Sequence, residues 1–241
     1  WTENLSSALD PGEKDVAAPI LDEVATRIAN LINAGADYLS MERATPSLSA
    51  GEVQRLRLAS LLGSSLTGVL YIFDEPTIGT HQRDTRRLIG LLRRLRDLGN
   101  TVLVIEHDLE VIASADYVID VGPGGGKHGG QVIATGTPAE IACNLASVTG
   151  AYLSGQKSTP VPAMRRLWRG NAITIKGARH HNLHNLNVEL PLGLLIAVTG
   201  VAGSGKSSLI FDVLARAASQ RLSGSGEAPG DHDSIEGLEN L

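Results

Sequence analysis

The chain has 241 residues, of which 42% are hydrophobic and 20% charged, and its formal net charge is −5. This composition is that of an ordinary globular protein, and the acidic balance argues against nucleic-acid binding through bulk positive charge. The single cysteine, Cys143, excludes an internal disulfide and a multi-cysteine zinc site, so no zinc is expected. No apolar run reaches the roughly 18 residues of a membrane helix, and no signal peptide opens the sequence, so we expect a cytoplasmic protein.

The first half of the chain alternates between helical and strand patterns. Apolar residues at helical spacing predict helices over 16–35, 49–63 and 86–100, and Thr137 with Pro138 marks the start of a short helix at 137–144. Short apolar runs at 68–75 and 101–107 are typical of strands buried on both faces. Two further short strands are predicted at 117–122 and 131–136. Since strands and helices alternate, we expect an α/β fold whose sheet is rich in parallel strands.

One predicted helix separates arginines from leucines. Arg83, Arg86, Arg87 and Arg94 share one side, and Leu88, Leu91, Leu92, Leu95 and Leu98 form an apolar stripe. A solvated outer face is favoured over a contact with phosphate or with a partner.

The second half of the chain begins with a change in composition and in hydrophobic periodicity. The polar stretch 154–171 contains two prolines and has no clear period, which predicts a boundary between domains 1–155 and 171–241 with a linker at 156–170. Residues 172–200 then alternate like antiparallel strands, and "LLIAVT" at 194–199 reads as a strand. The tail at 223–234 is loop-like. The first residue is Trp1 rather than Met, which suggests a fragment or a processed product.

The strongest chemical motif is "GVAGSGKS" at 200–207. Its glycines allow successive backbone N–H groups to surround phosphate oxygens, and the following helix, predicted to begin near Lys206, adds a partial positive charge. Lys206 is expected to reach the outer phosphates of ATP, and the Ser207 hydroxyl is expected to bind Mg²⁺. The predicted nucleotide contacts here are Gly200, Val201, Ala202, Gly203, Ser204, Gly205, Lys206, Ser207 and Ser208.

Acidic residues and a histidine follow two predicted strands. Asp74 is a candidate Mg²⁺ ligand, and Glu75 is a candidate general base for an attacking water. His107 ends the next strand, so we expect it at the same edge of the sheet. A structural role for this histidine and simple solvation of the acids are the alternatives.

A third motif, "LSAGEVQ", starts a helix. Ser49 and Glu52 have the spacing of a capping box, which places the first helical residue at Ala50. Ser49, Gly51 and Glu52 then offer a helix N-terminus to the phosphates of a nucleotide. The local alternative is that this is simply a good helix cap.

Together these motifs resemble the UvrA family of ABC-type ATPases. The resemblance rests on "YLSMERATPSLSAGEVQRLRLASLLGSSLTGVLYIFDEPTIGTHQRD", "ADYVIDVGPGGGKHGGQVIATGTP" and "HNLHNLNVELPLGLLIAVTGVAGSGKSSL", and it runs from about residue 16 to the end. It implies a partial P-loop NTPase fold in two incomplete modules, namely the end of a first ATPase cassette and the start of a second. The chain departs from the family pattern at Ala50, where glycine is usual, and at Thr80, where leucine is usual.

Several functions follow from this resemblance. Members of the family are repair ATPases that bind ATP and Mg²⁺, dimerise, bind damaged double-stranded DNA and load UvrB. Several parts of the family pattern have no counterpart in this sequence. They are the first cassette's phosphate loop, the DNA-binding and UvrB-binding insertions, the zinc modules, and the second cassette's signature and acidic strand.

The order of the motifs predicts how nucleotides are shared. Cassette ATPases hold ATP between the phosphate loop of one module and the signature helix of the other, so Lys206 and Ser49 are expected to face one nucleotide. Asp74, Glu75 and His107 are expected to face another, and the chain alone is expected to bind ATP weakly and to hydrolyse it poorly. Other possibilities are a permuted domain, a non-catalytic nucleotide-binding or dimerisation module, a drug-resistance relative, and a degenerate gene product.

Overall fold

The computed structural model describes residues 9–64 and 66–241, and the chain divides into two compact units. Unit 1 extends to Thr159 and unit 2 begins at Pro160. This division falls within the stretch 154–171 that the sequence marks as polar and aperiodic. In the described part of the chain, no helix is both long enough and apolar enough to cross a membrane.

Helices in unit 1 begin where short polar side chains cap them. Asp10, Ser49 and Thr137 each form a capping box with a glutamate three residues later, which satisfies backbone N–H groups at the helix start. The predicted starts at Ala50 and Pro138 are therefore confirmed. The helices of unit 1 are α1 (Pro11–Asn33), α2 (Ala50–Leu62), α3 (Gln82–Asp97), α4 (Leu109–Ser114), α5 (Pro138–Cys143) and α6 (Val148–Leu153).

Four strands in unit 1 form two small sheets. β1 (Leu70–Asp74) pairs in parallel with β2 (Thr101–Ile105), and β3 (Val118–Gly122) pairs antiparallel with β4 (Gln131–Gly136). The prediction that β1 and β2 are buried on both faces is wrong, because Leu70 and Ile72 are 58% and 60% exposed. Among the described residues of unit 1, helices cover one face of this pair.

The core of unit 1 lies between α2, α3 and the covered face of β1 and β2. Leu58 and Leu95 are each 1% exposed at its centre. Leu98 does not join the stripe predicted for α3, since it is the C-cap of the helix and is exposed. On the opposite side Arg86 forms an ion pair with Glu110. The members of the core are Ala34, Leu58, Ala59, Leu62, Leu88, Leu91, Leu92 and Leu95.

Unit 2 contains an antiparallel sheet packed against one helix. Its strands are β5 (Ala172–Ala178), β6 (Leu186–Pro191) and β7 (Ser234–Glu236), in the order β6-β5-β7. The helix begins at Lys206, is π-helical over Ser208–Ala215, and continues as α7 (Arg216–Ser223). Ile175 and Val213, both fully buried, meet between the sheet and the helix. The predicted antiparallel strands and the helix start at Lys206 are confirmed.

Two expectations about the strands fail. The segment 194–199 is not a strand, although its sequence is apolar. A strand needs a neighbour for its backbone hydrogen bonds, and no described strand of unit 2 lies beside this segment; Leu195 is fully exposed as a result. The α/β class is confirmed, but only one of the four strand pairs in the described ranges is parallel, so the expected dominance of parallel pairing is wrong.

Candidate functional site

The ends of β1 and β2 bring a glutamate and a histidine together in unit 1. The parallel register pairs Asp74 with Ile105, and the backbone N–H of Glu75 donates to the carbonyl of Ile105 at 2.9 Å. His107 follows β2, and its Nε2 lies 3.3 Å from Oε1 of Glu75. The expectation that His107 lies at the same sheet edge as the acidic pair is confirmed.

The backbone at this edge turns sharply after β1. Glu75 has φ 44°, in the left-handed region that side chains larger than glycine seldom adopt. Such backbone strain is often found at functional sites, where the surrounding structure enforces it. The Glu75 side chain is 41% exposed, so a water molecule has access to its carboxylate.

Glu106, which was not predicted as a site residue, fixes the loops on both sides of this pair. Its carboxylate accepts hydrogen bonds from the backbone N–H groups of Thr77 at 2.8 Å, His107 at 3.0 Å and Asp108 at 3.3 Å. One side chain therefore holds the segment after Glu75 and the segment that carries His107. Its position at the end of an apolar strand was a signal that could have identified it.

Asp74 is the last residue of β1 and is exposed. A carboxylate in this position can accept water molecules of a hydrated Mg²⁺, because Mg²⁺ keeps several waters and prefers oxygen ligands. The structure thus leaves Asp74 accessible and places Glu75 beside His107.

A second group of predicted site residues lies at the start of α2. The Ser49 hydroxyl accepts from the N–H of Glu52 at 3.3 Å, and Oε2 of Glu52 accepts from the N–H of Ser49 at 2.7 Å. Ser49 is exposed, whereas Gly51 and Glu52 are buried. A Cβ atom on Gly51 would lie 2.9 Å from the carbonyl oxygen of Ile78, so the helix start packs directly on the loop that follows Glu75.

A polar network holds Glu52 inside unit 1. Its Oε1 accepts a hydrogen bond from the Tyr38 hydroxyl at 2.8 Å, and that hydroxyl accepts one from Nη2 of Arg55 at 2.9 Å. Arg43 adds an ion pair at 3.5 Å. Because both carboxylate oxygens are engaged and Glu52 is 4% exposed, the side chain is placed to position the helix start rather than to contact a ligand.

The pKa values in this network follow from burial and hydrogen bonding. Burial, together with the bond to Glu52, raises the pKa of Tyr38 to about 12, which keeps the hydroxyl protonated and donating. Burial acts to raise the pKa of Glu52, but the hydrogen bonds from Ser49 and Tyr38 and the charge of Arg43 outweigh it and lower that pKa below 4.5. Glu52 is therefore held as a carboxylate.

The phosphate-loop motif lies in unit 2, between residue 200 and the helix that begins at Lys206. The Lys206 Nζ donates to the carbonyl oxygens of Gly200 and Val201, both at 2.8 Å, so the lysine side chain folds back over the loop. Gly203, Ser204 and Ser207 are exposed, and the remaining predicted contacts of the loop are partly buried, namely Gly200, Val201, Ala202, Gly205, Lys206 and Ser208.

Residues of the segment 180–183 pack against the phosphate loop and hold it in place. The side-chain amide of Asn182 donates to the carbonyl of Gly203 at 2.8 Å. Gly205 has φ 92°, and a Cβ atom there would lie 2.7 Å from Cδ2 of Leu183, so this position requires glycine. Asn182 lies in the segment beginning "HNLHNL" that resembles the UvrA family, but it was not predicted as a site residue.

The residues of the loop fit a nucleotide phosphate. A glycine-permitted turn, an ammonium group and the first turn of a helix supply donors and positive charge to one place. The Ser207 hydroxyl is exposed beside them and is an oxygen ligand of the kind Mg²⁺ prefers. In unit 2, the loop and the start of the helix therefore bring together groups of the kind that bind phosphate and Mg²⁺.

Comparison with known proteins identifies relatives across nearly the whole chain. The chain is 54% identical over 239 residues to UvrABC system protein A of Aquifex aeolicus, covering 99% of this chain and 26% of the relative. It is 53% identical to the protein of the same name from Listeria innocua and 50% identical to that of Thermus thermophilus, each covered to 25% of its length. No family model matches the chain.

The fold agrees with the sequence comparison. The crystal structure of UvrA2 from Deinococcus radiodurans superposes with a TM-score of 0.84 at 38% identity, covering 94% of this chain and 27% of that one. The chain thus has the sequence and fold of a UvrA segment, with a partial ABC-type P-loop architecture, and it spans about a quarter of the length of the curated relatives it matches.

Proposed function

We propose that this UvrA-type segment contributes parts of two ATP sites to a DNA-repair ATPase. The observation that carries the proposal is the phosphate loop, in which the Lys206 Nζ lies 2.8 Å from two loop carbonyls at the head of a helix. When ATP is bound, the ammonium group neutralises its outer phosphates, and the loop N–H groups with the helix N-terminus hold the phosphate oxygens.

The two units belong to successive cassettes in this proposal. Residues 1–155 are the second half of a first cassette, 156–170 are a linker, and 171–241 are the beginning of a second cassette. Ser49, on its exposed helix start, serves one nucleotide, with Gly51 and Glu52 setting the position of the helix, and the loop around Lys206 holds nucleotide phosphates in unit 2. Asp74, Glu75 and His107 serve another.

The chemistry at the ends of β1 and β2 is hydrolytic. Glu75 accepts a hydrogen bond from the attacking water and orients it, and His107, 3.3 Å from Oε1 of Glu75, orients the carboxylate. Asp74 and Ser207 supply oxygen ligands to Mg²⁺, each for its own nucleotide; the metal neutralises charge on the phosphates. Because each site needs a second module, the chain alone binds ATP weakly and turns it over slowly.

The activity of the whole protein extends this proposal. Three relatives are named as the A protein of the UvrABC system, so we place the chain in nucleotide excision repair in the cytoplasm. There the protein acts as a homodimer that recognises damaged double-stranded DNA and loads UvrB. No membrane takes part in this proposed activity. A non-catalytic binding module and a drug-resistance relative are the alternatives.

Substitution of Lys206 tests nucleotide binding directly. Lys206→Ala removes the charge that faces the phosphates, so ATP affinity should fall by at least about tenfold, the size of a lost charge-assisted hydrogen bond. Calorimetric titration of the full chain with Mg²⁺ and ATP measures it. The matched control is Lys176→Ala, whose exposed ammonium pairs with Glu236 on the sheet. Unchanged affinity in Lys206→Ala would refute the assignment of the loop.

A second measurement separates an ATPase from a binding module. ATP turnover that falls on Glu75→Gln, with ATP affinity retained, supports the hydrolytic role. Turnover that is indifferent to this substitution favours the non-catalytic alternative.

A further inference from the structure

Two histidines and an aspartate converge in unit 2 beside the phosphate loop. Their ligand atoms, on His180, His181 and Asp212, all lie within 4.8 Å of one another. The two imidazole rings have centroids 4.0 Å apart and are tilted by 51°. From this cluster we infer a binding site for a divalent transition-metal ion of the zinc type.

The local backbone is arranged to hold the two rings together. His181 has φ 53°, a left-handed conformation that is uncommon for histidine, and its ring centroid lies 4.0 Å from that of His180. On the other side of His180, a Cβ atom on Gly230 would lie 2.5 Å from the ring carbon Cγ, so the backbone of Gly230 covers the ring. The Gly230 N–H donates to the carbonyl of Asp212 at 2.8 Å, which ties this cover to the third member of the cluster.

The third ligand comes from an unusual stretch of helix. Asp212 lies within the π-helical segment Ser208–Ala215, and π-helical turns are often found at functional sites. Its Oδ1 is 3.2 Å from Arg216, which also pairs with Glu227 at 2.8 Å. Since a carboxylate has two oxygens and Arg216 has this second partner, Asp212 can bind a cation without leaving the guanidinium unpaired.

The donor set decides the class of ion. Two imidazole nitrogens and one carboxylate oxygen suit zinc, nickel or copper, whereas Mg²⁺ and Ca²⁺ prefer oxygen ligands throughout. Zinc holds such ligands at about 2.0–2.2 Å, so ligand atoms around one ion lie at most about 4 Å apart. The three ligand atoms already lie within 4.8 Å of one another, so small side-chain movements suffice to reach this distance. Three protein ligands leave a fourth position for water.

The metal and the phosphate loop share one support. Asn182, which holds the carbonyl of Gly203, directly follows His181 in the chain. An ion that fixes His181 therefore restricts the movement of the neighbouring Asn182, whose side chain holds the phosphate loop. This inference depends on the cluster geometry alone and not on the proposed ATPase function.

Titration of the full chain with Zn²⁺ tests the site. All variants carry Cys143→Ser, because the exposed thiol is a competing zinc ligand. Calorimetry should show Zn²⁺ binding to the chain at a one-to-one ratio. Zn²⁺ should also raise the Tm, and addition of a chelator should reverse that rise. His181→Ala and Asp212→Asn should each weaken zinc binding by about tenfold or more and remove the rise in Tm. Co²⁺ in place of Zn²⁺ should give visible absorption that both variants lose.

The matched control is His184→Ala, which removes an exposed histidine three positions from His181 and outside the cluster. It should bind zinc as the parent does. Absence of a zinc-dependent rise in Tm in the parent would overturn the inference. Equal loss of zinc binding in His184→Ala and His181→Ala would overturn it as well. Circular dichroism of each variant shows whether the fold is retained, and His181 is preferred to His180 because it is exposed.

Discussion

Unit 1 buries polar side chains alongside apolar ones, whereas the buried side chains described in unit 2 are apolar. The buried polar residues of the described chain all lie before Thr159, and they are Asn30, Glu52, Arg55, Asp84, Thr85, Asn100 and Ser147. Unit 2 is stabilised by residues such as Ile175 and Val213, which are fully buried between its sheet and its helix. Buried polar groups must be satisfied in one geometry, while apolar packing is not directional. Unit 1 should therefore depend on pH and on single hydrogen bonds in ways that unit 2 does not.

The largest expected effect is common to both units and tests their apolar cores. Leu58→Ala in unit 1 and Ile175→Ala in unit 2 each remove a side chain that is at most 1% exposed. Each should lower the free energy of unfolding of its unit by about 2–5 kcal/mol, because burial is lost and a cavity remains. Hydrogen exchange of peptides from each unit, followed by mass spectrometry in denaturant, measures the two values.

The control for this pair is Leu145→Ala, since Leu145 is 93% exposed. Its effect should stay within about 0.5 kcal/mol. A cost for Ile175→Ala close to that of the control would contradict the view that apolar packing stabilises unit 2.

A smaller effect should appear in unit 1 alone when its polar network is broken. Tyr38→Phe removes the hydroxyl between Glu52 and Arg55, so a buried carboxylate and a buried guanidinium each lose a partner. We expect a loss of about 1–3 kcal/mol in unit 1 by the same exchange measurement. Tyr117→Phe, at an exposed tyrosine, is the matched control; if both substitutions cost the same, the network does not stabilise the unit.

The smallest expected effect is a loss of the stability of unit 1 as the pH falls. The pKa of Glu52 is lowered in the folded state, so its charged form favours folding and contributes stability above the unfolded pKa of about 4.5. That contribution is lost as the pH falls through the folded pKa. Exchange measured from neutral pH to acid should show this loss in unit 1, and Glu52→Gln should flatten it.

Glu42→Gln, at an exposed position near the network, should leave the acid dependence unchanged. An acid dependence in Glu52→Gln as steep as in the parent would show that other groups are responsible.

Features that depend on a few neighbouring residues were predictable from the sequence. The capping boxes at Ser49 and Thr137 need only a glutamate three residues later, and both form. The approach of His107 to Glu75 also followed, because consecutive strands joined by a helix tend to pair side by side.

Features that depend on distant partners were not predictable. Tyr38 lies 14 and 17 residues from Glu52 and Arg55 along the chain, a spacing without any periodic signature. The apolar segment 194–199 has the composition of a strand, yet composition does not supply the neighbour that a strand requires. The convergence of Asp212 with the two histidines likewise depends on the fold, since the sequence separates them by 31 residues (212 − 181 = 31).

The close contact of Gly51 with the carbonyl of Ile78 has a consequence for communication between nucleotides. Under the proposed roles, Ser49 senses the phosphates of one ATP and Glu75 acts on those of another, and both lie within four residues of this contact. Since there is no room for a side chain at Gly51, a shift of the helix start on binding one nucleotide would be transmitted to the turn that holds the proposed base for the other. Communication between two ATP molecules would then require no domain movement.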